Sequence, residues 1–237
     1  MRVMFKYTYD IRYCDYKDFD TVKPAAVLDA IQEVAIRNSE ERGYGIETLR
    51  NMKRAWLLQG IDVRFEKAVS THMPLETYTA VKSLKGVLSE RGSILMQGGE
   101  VVAKSIANWC LLDTDRMRLS RIPKEMTEAY EGYNFSDEFF TYERPVVCEE
   151  VPVKYTVRVS NKEIDTNRHL NNQKGAELLM DALPYDFEVK NIRIYYPSPA
   201  YLGEELQVCV KEIENGYYVH LKNSDSTVCV VGTFENK

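Results

Sequence analysis

The sequence predicts an α+β protein made of two similar halves, each a long helix followed by a run of antiparallel strands. Three observations predict it. An apolar helical pattern opens after Pro24, short strand-like segments separated by turn residues follow it, and the same order returns after residue 150. In the first half, FKYTYDIRYCDY alternates aromatic and polar residues, as a strand does. Pro24 suits a first helical position, and Val27, Ile31, Val34 and Ala35 fall at helical spacing. Ala26, Leu28, Ala30 and Ile36 fill the other faces, so the helix should be mostly buried. Gly43 and Gly45 suit its C-terminal cap and the loop beyond. The strands WLLQGIDVRF, PLETYTAVKSL, VLSERGSILM and VVAKSIANWCLLD come next, with Gly98-Gly99 as a hairpin turn.

Residues 121–150 break this pattern with clustered charge and scattered aromatics, and read as a segment lying over the surface and joining residues 1–120 to residues 151–237. The second half repeats the order. VPVKYTVRVS is a strand, Asn171 to Leu183 a helix, and Pro184 its stop. NIRIYYPSPAY, EELQVCVKEI, GYYVHLKN and STVCVVGTFE follow as strands. Local matches support duplication: Asp20-Thr21-Val22-Lys23-Pro24 and Asp165-Thr166-Asn167-Arg168-His169 precede the two helices, and Val81-Lys82 and Val210-Lys211 sit late in strands. A long apolar helix wrapped by an antiparallel sheet is the hotdog arrangement, and two of them in one chain make a tandem, or double, hotdog.

Composition excludes several classes of function. Hydrophobic residues are 44% of the 237 and charged residues 28%, which allows a real core under an ordinary hydrated surface. The start MRVMFKYTYDIRY carries charge every few residues and reads as no signal peptide, and no run is long enough to cross a bilayer. Five scattered cysteines without a C-x-x-C pair argue for reduced thiols in the cytoplasm and against zinc. Three histidines leave little material for any metal centre, and the net charge of −5 disfavours a general nucleic-acid binder. Without a G-x-G-x-x-G, Walker or G-x-S-x-G motif, neither a nucleotide cofactor nor a serine elbow has support.

The chemistry concentrates in Asp165-Thr166-Asn167-Arg168-His169-Leu170-Asn171-Asn172. In an extended segment alternate side chains share a face, so Asp165, Asn167 and His169 can converge on one small molecule. Acid, amide and imidazole together can hold a water, take its proton and stabilise an oxyanion. The same residues also suit a turn with an Asn helix cap. Aligning the two DT segments sets Val22 and Pro24 where the second half has Asn167 and His169, which predicts one active site and a degenerate counterpart. His72 reads as a turn residue and His220 as a strand-surface one; the cysteines pack rather than react.

DTNRHLNNQKGAELLMDALP resembles the signature of the acyl-acyl carrier protein (acyl-ACP) thioesterases: Asp165, Asn167, His169, Asn171 and Asn172, a helix, then Asp181 and Pro184. Gln32-Glu-Val-Ala, Glu41-Arg-Gly-Tyr-Gly and Asn108-Trp109 with Asp113 extend the likeness across the first half. The resemblance implies a double hotdog that hydrolyses the thioester of fatty acyl-ACP, with Asp165, Asn167 and His169 catalytic. Asn171 and Asn172 would lie at the substrate, their backbone N–H groups forming part of an oxyanion site. It also implies an acyl slot in the first half, walled by the first helix and by Trp56 and Leu57 of the WLL strand, and no cofactor or metal. Two departures stand out: Gly175 and Leu178 occupy places where many relatives carry Tyr and Trp, and Tyr196-Pro197-Ser198-Pro199-Ala200-Tyr201 lacks the Glu-Cys pair of plant members. Acyl carrier protein, an acidic partner, would need a basic patch, and Arg116, Arg118, Arg121 and Lys124 form the densest one. A hotdog dehydratase and a non-catalytic acyl-thioester binding module are the rival readings. A tandem hotdog supplies its own pairing, so the protein is expected as a monomer or a homodimer.

Overall fold

The computed structural model describes residues 4–131 and 139–236. The chain divides into two compact units, Met1–Gln59 with Val63–Tyr142, and Gly60–Asp62 with Glu143–Lys237.

The first unit contains β1 (Phe5–Tyr9), α1 (Pro24–Glu41), α2 (Ile46–Asn51), β2 (Arg54–Phe65), β3 (Leu75–Lys85), β4 (Leu88–Gln97), β5 (Glu100–Asp113), the two-residue β6 (Arg118–Leu119) and α3 (Lys124–Ala129). Its strands lie in the order β1-β3-β4-β5-β2, with β6 on β5. Pro24 does open α1, because a residue without an N–H sacrifices nothing in the first turn. Two residues past the helix end stands Gly43, whose φ of +80° costs a glycine little. There the Tyr44 N–H reaches the Ser39 carbonyl at 2.8 Å and the Gly43 N–H that of Glu40 at 2.9 Å, closing the last turn. Val27, Ala30 and Val34 are wholly buried on α1. Gly98 and Gly99, at φ +58° and +83°, make the β4–β5 turn in the left-handed pair of conformations a tight hairpin needs.

The second unit contains β7 (Val153–Arg158), α4 (Asn172–Met180), β8 (Val189–Tyr195), β9 (Glu205–Ile213), β10 (Gly216–Lys222) and β11 (Val228–Asn236). Its strand order is β7-β9-β10-β11-β8. Substituting each first-half strand by its second-half counterpart turns one order into the other, so each unit is a hotdog with the same threading. Val81-Lys82 on β3 and Val210-Lys211 on β9 stand on equivalent strands. α4 is shorter than the 171–183 expected. Beyond Met180 the chain tightens into i→i+3 bonds, Ala182 N–H to Leu179 at 3.3 Å and Leu183 N–H to Met180 at 3.0 Å, as Pro184 bars its predecessor from helical geometry.

Much of 121–150 departs from the surface connection expected. Ile122, Met126 and Tyr130 are buried with Leu49 and Leu111 in the first unit. In the second unit Cys148 and Val151 cover Cys209, Tyr218 and Val231, giving that sheet a second small apolar layer on the side away from α4. Residues 132–138 of the stretch lie outside the described ones. His220 belongs to this covered side and is buried, not surface-exposed; its Nδ1 lies 3.1 Å from the Tyr218 hydroxyl. Burial there pushes its pKa down to about 4. His72 is exposed as expected and pairs with the Asp20 carboxylate at 3.0 Å.

Candidate functional site

Residues 160–171 fold as a compact loop between β7 and α4, not as an extended strand. Ser160 N–H and hydroxyl both donate to the Glu163 carboxylate, at 2.7 and 2.6 Å. Burial would raise the pKa of Glu163, but these bonds outweigh it and hold the pKa below the ordinary value. Ile164 and Leu170 bridge, the Asp165 N–H meets the His169 carbonyl at 2.9 Å, and the Arg168 N–H returns to the Asp165 carbonyl at 3.0 Å. Arg168 takes a φ of +64° to close the turn.

Asp165 organises the turn. Its Oδ1 accepts the backbone N–H of Asn167 at 2.7 Å and of His169 at 3.2 Å, and its Oδ2 accepts the Asn167 side-chain amide at 3.3 Å. Turn chemistry, not alternation along a strand, therefore gathers the Asp165 carboxylate, the Asn167 amide and the His169 backbone N–H. Asp165 and His169 are half-buried, whereas Asn167 is exposed. The His169 ring meets the Tyr201 ring edge-on, with centroids 5.0 Å apart and planes at 80°. Backbone bonds secure this contact: His169 bridges Tyr201, and the Leu170 N–H donates to Ala200 at 2.8 Å. The Tyr201 N–H in turn donates to the Glu204 carboxylate at 3.2 Å. The sequence reading passed over Tyr201; its only signal was its place at the end of the segment noted for lacking Glu and Cys.

Asn171 caps α4. Its Oδ1 accepts from Gln173 at 2.9 Å and Lys174 at 3.3 Å, and its own N–H donates to the Glu163 carbonyl at 2.8 Å. That backbone N–H is thus engaged within the loop and unavailable to an oxyanion. Asn172, the first helical residue, is half-buried. Trp56 and Leu57 are neighbours on β2 and so point to opposite faces. Trp56 packs on the Leu49–Met126 cluster and Leu57 is 37% exposed, so the two do not share one wall. Gly175 is buried, and a Cβ on it would meet Val230 at 3.1 Å and Leu170 at 3.6 Å; these side chains fill the space a ring would need. All five cysteines are free thiols. Burial raises the pKa of Cys110 and Cys209 and pushes Cys229 up to about 11, so these three are poor nucleophiles.

The first half carries the same loop without acid, amide or imidazole at the equivalent positions. Tyr16 bridges Val22, the Lys17 N–H meets the Thr21 carbonyl at 2.9 Å, and the Lys23 N–H meets the Asp15 carbonyl at 2.8 Å. Each of these bonds has its counterpart in the second half, at Ile164–Leu170, Asp165–His169 and Asn171–Glu163. This shared frame corrects the alignment read from the two DT segments. Asn167 corresponds to Phe19 and His169 to Thr21, three positions before Val22 and Pro24. Lys17 stands where Asp165 stands.

Two sequence profiles cover most of the chain: residues 2–130 match the acyl-ACP thioesterase N-terminal domain and residues 147–232 its C-terminal domain. The oleoyl-acyl carrier protein thioesterase 2, chloroplastic, of Arabidopsis thaliana is 21% identical over 192 residues, 72% of this chain. The chain spans about half of that relative, 52% of its length. Among solved structures, an acyl-ACP thioesterase from Bacteroides thetaiotaomicron superposes with a TM-score of 0.87 at 17% identity, covering 98% of this chain and 97% of that one. The 12:0-ACP thioesterase from Umbellularia californica gives 0.83 at 15% identity, covering 100% and 98%. Both share the fold, and the two profiles supply what fold alone does not: by them, this chain belongs to the acyl-ACP thioesterase family.

Proposed function

We propose that the protein hydrolyses the thioester of a fatty acyl-ACP, releasing the free fatty acid and ending chain elongation. The observation that carries this reading is the Asp165 carboxylate, bonded to the Asn167 amide and to the backbone of His169 within one turn. Asp165 holds the attacking water or takes its proton. His169 polarises that water or stabilises charge on the carbonyl, and the exposed Asn167 amide donates to the thioester oxygen. Water oxygen bonds to the acyl carbon, the carbon–sulfur bond breaks, and the sulfur leaves as the carrier's thiol with the proton taken from water. Asn172 remains the helix-terminal contact to substrate in this scheme, while Asn171 serves by capping. The acyl chain lies in the first unit, against α1 and Trp56; each methylene buried there contributes about 0.8 kcal/mol. Five free thiols suit the reducing cytoplasm. Among the described residues no helix is long and apolar enough to cross a membrane.

A thiol-trapping assay on medium- and long-chain acyl-ACP and acyl-CoA tests the proposal. Thiol release is expected, with Asp165→Ala and His169→Ala each slowing it roughly 100- to 10,000-fold and leaving the fold intact. Acyl binding without thiol release would make the protein a binding module, and loss of water from a hydroxyacyl thioester would make it a dehydratase.

A further inference from the structure

The sequence bears a net charge of −5, yet one face of the first unit is basic. Arg116 and Arg118 stand at the tip of the β5–β6 hairpin, where Asp113 pairs with Arg118 in register. Two backbone bonds bring further cations alongside. The Thr114 N–H donates to the Lys53 carbonyl at 3.1 Å, and the Ile122 N–H to the Gly86 carbonyl at 2.8 Å, which seats Lys53 and Lys85 beside Arg121 and the hairpin. All of these cations are exposed. Of the hairpin's two carboxylates, Asp115 is exposed among these cations, whereas Asp113 is buried and accepts from the Asp115 and Arg116 N–H groups while pairing with Arg54. Lys124 pairs with Glu128, but no ion pair is recorded for Arg116, Arg118 or Arg121 among the described residues. Met117 and Leu119 alternate with the arginines and are 68% and 50% exposed. Cations interleaved with exposed apolar side chains fit an acidic protein surface better than they fit bulk water, because the charges steer approach and the apolar groups bury on contact.

We propose that this face, from Lys53 across the β5–β6 hairpin to Arg121, docks acyl carrier protein. The inference rests on the thioesterase reading for its partner but not on the loop at Asp165 for its geometry. It predicts attraction that salt weakens, since exposed charges are screened over about 8 Å at physiological ionic strength.

The test uses the full chain carrying Arg116→Glu, Arg118→Glu and Arg121→Glu together. Binding is measured by titration calorimetry with acyl carrier protein bearing a non-hydrolysable acyl thioether, at low and high salt. The triple variant should bind roughly 10- to 100-fold more weakly at low salt, and salt should affect it less than the parent. Its kcat/KM on acyl-ACP should fall by a similar factor relative to its kcat/KM on acyl-pantetheine, which presents no carrier surface. Unchanged carrier binding in a folded variant overturns the docking face. Equal binding of the parent to a DNA duplex of similar charge also overturns it, as a general anion surface. Charge-dependent carrier binding with no thiol released from any thioester supports the docking face and refutes hydrolysis instead, so the two failures are distinct.

Discussion

The His169 imidazole stands edge-on to the Tyr201 ring at 5.0 Å, and the same two residues are bridged through their backbones. A histidine fixed on both its main chain and its ring has little freedom to swing away from the turn it shares with Asp165. An edge-on aromatic pair contributes about 0.5–1.5 kcal/mol beyond burial, enough to hold one rotamer over its neighbours.

Tyr201 is therefore expected to position His169. Tyr201→Phe keeps the ring and should hold kcat close to the parent value. Tyr201→Ala should lower kcat about 10- to 100-fold with a smaller change in KM, since small displacements of a reacting group are costly. Steady-state kinetics of the two variants decide it; equal losses in both would place the effect in the hydroxyl and remove the positioning role.

Asp165 is expected to act twice, as turn former and as catalyst. Asp165→Asn retains an oxygen for the N–H groups of Asn167 and His169, so the loop should persist while the rate drops roughly 100-fold or more. Asp165→Ala should lose the rate and also about 1 kcal/mol or more of stability through two stranded donors. Urea denaturation beside the thiol assay separates these, and identical stability of the two variants would count against the structural half of the assignment.

His220 should make the second unit acid-labile. Its pKa in the fold is about 4, below the ordinary 6.5, so the unfolded chain takes up the proton first. Its contribution is complete above pH 6.5 and is lost as the pH falls towards 4. His220→Gln keeps a partner for the Tyr218 hydroxyl and removes the titration. The difference in unfolding free energy between parent and variant should shrink or reverse across that interval; parallel stability curves from pH 7 to 4 would refute it.

The buried glycines should respond unequally to alanine. At Gly232 a Cβ would lie 2.8 Å from the Phe234 ring and 2.9 Å from Leu179, both wholly buried, so Gly232→Ala should cost about 1–3 kcal/mol. At Gly175 the nearest atom is the Val230 methyl at 3.1 Å, and alanine gains about 0.8–1.0 kcal/mol of helix propensity. Gly175→Ala should thus stay within about 1 kcal/mol of the parent by equilibrium unfolding.

Local chemistry was legible in the sequence and long-range burial was not. Pro24, Gly43 and the Gly98-Gly99 pair act within a few residues of chain, and each sits where its backbone preference places it. The repeated run of elements showed that the halves are alike, but not the order β1-β3-β4-β5-β2, in which β2 crosses over to pair beyond β5. His220 read as exposed because alternation reports only one covered face, and here the chain around Cys148 covers the other. Ile122, Met126 and Tyr130 read as surface residues because charge surrounds them in sequence while apolar partners surround them in space. At the candidate site Asp165, Asn167 and His169 share a turn, not the face of a strand. The extended geometry invoked for Asp165, Asn167 and His169 is a turn, and a chance DT match misaligned the two halves by three residues.

The loops before α1 and α4 share main-chain cross-braces that recur position for position, and each adds a bracing carboxylate of its own, Asp18 in the first and Asp165 in the second. The shared main-chain bonds themselves ask nothing of the side chains at Phe19 and Thr21 or at Asn167 and His169. On the proposed chemistry, a second centre would need three exchanges on the first loop: aspartate at Lys17, asparagine at Phe19 and histidine at Thr21.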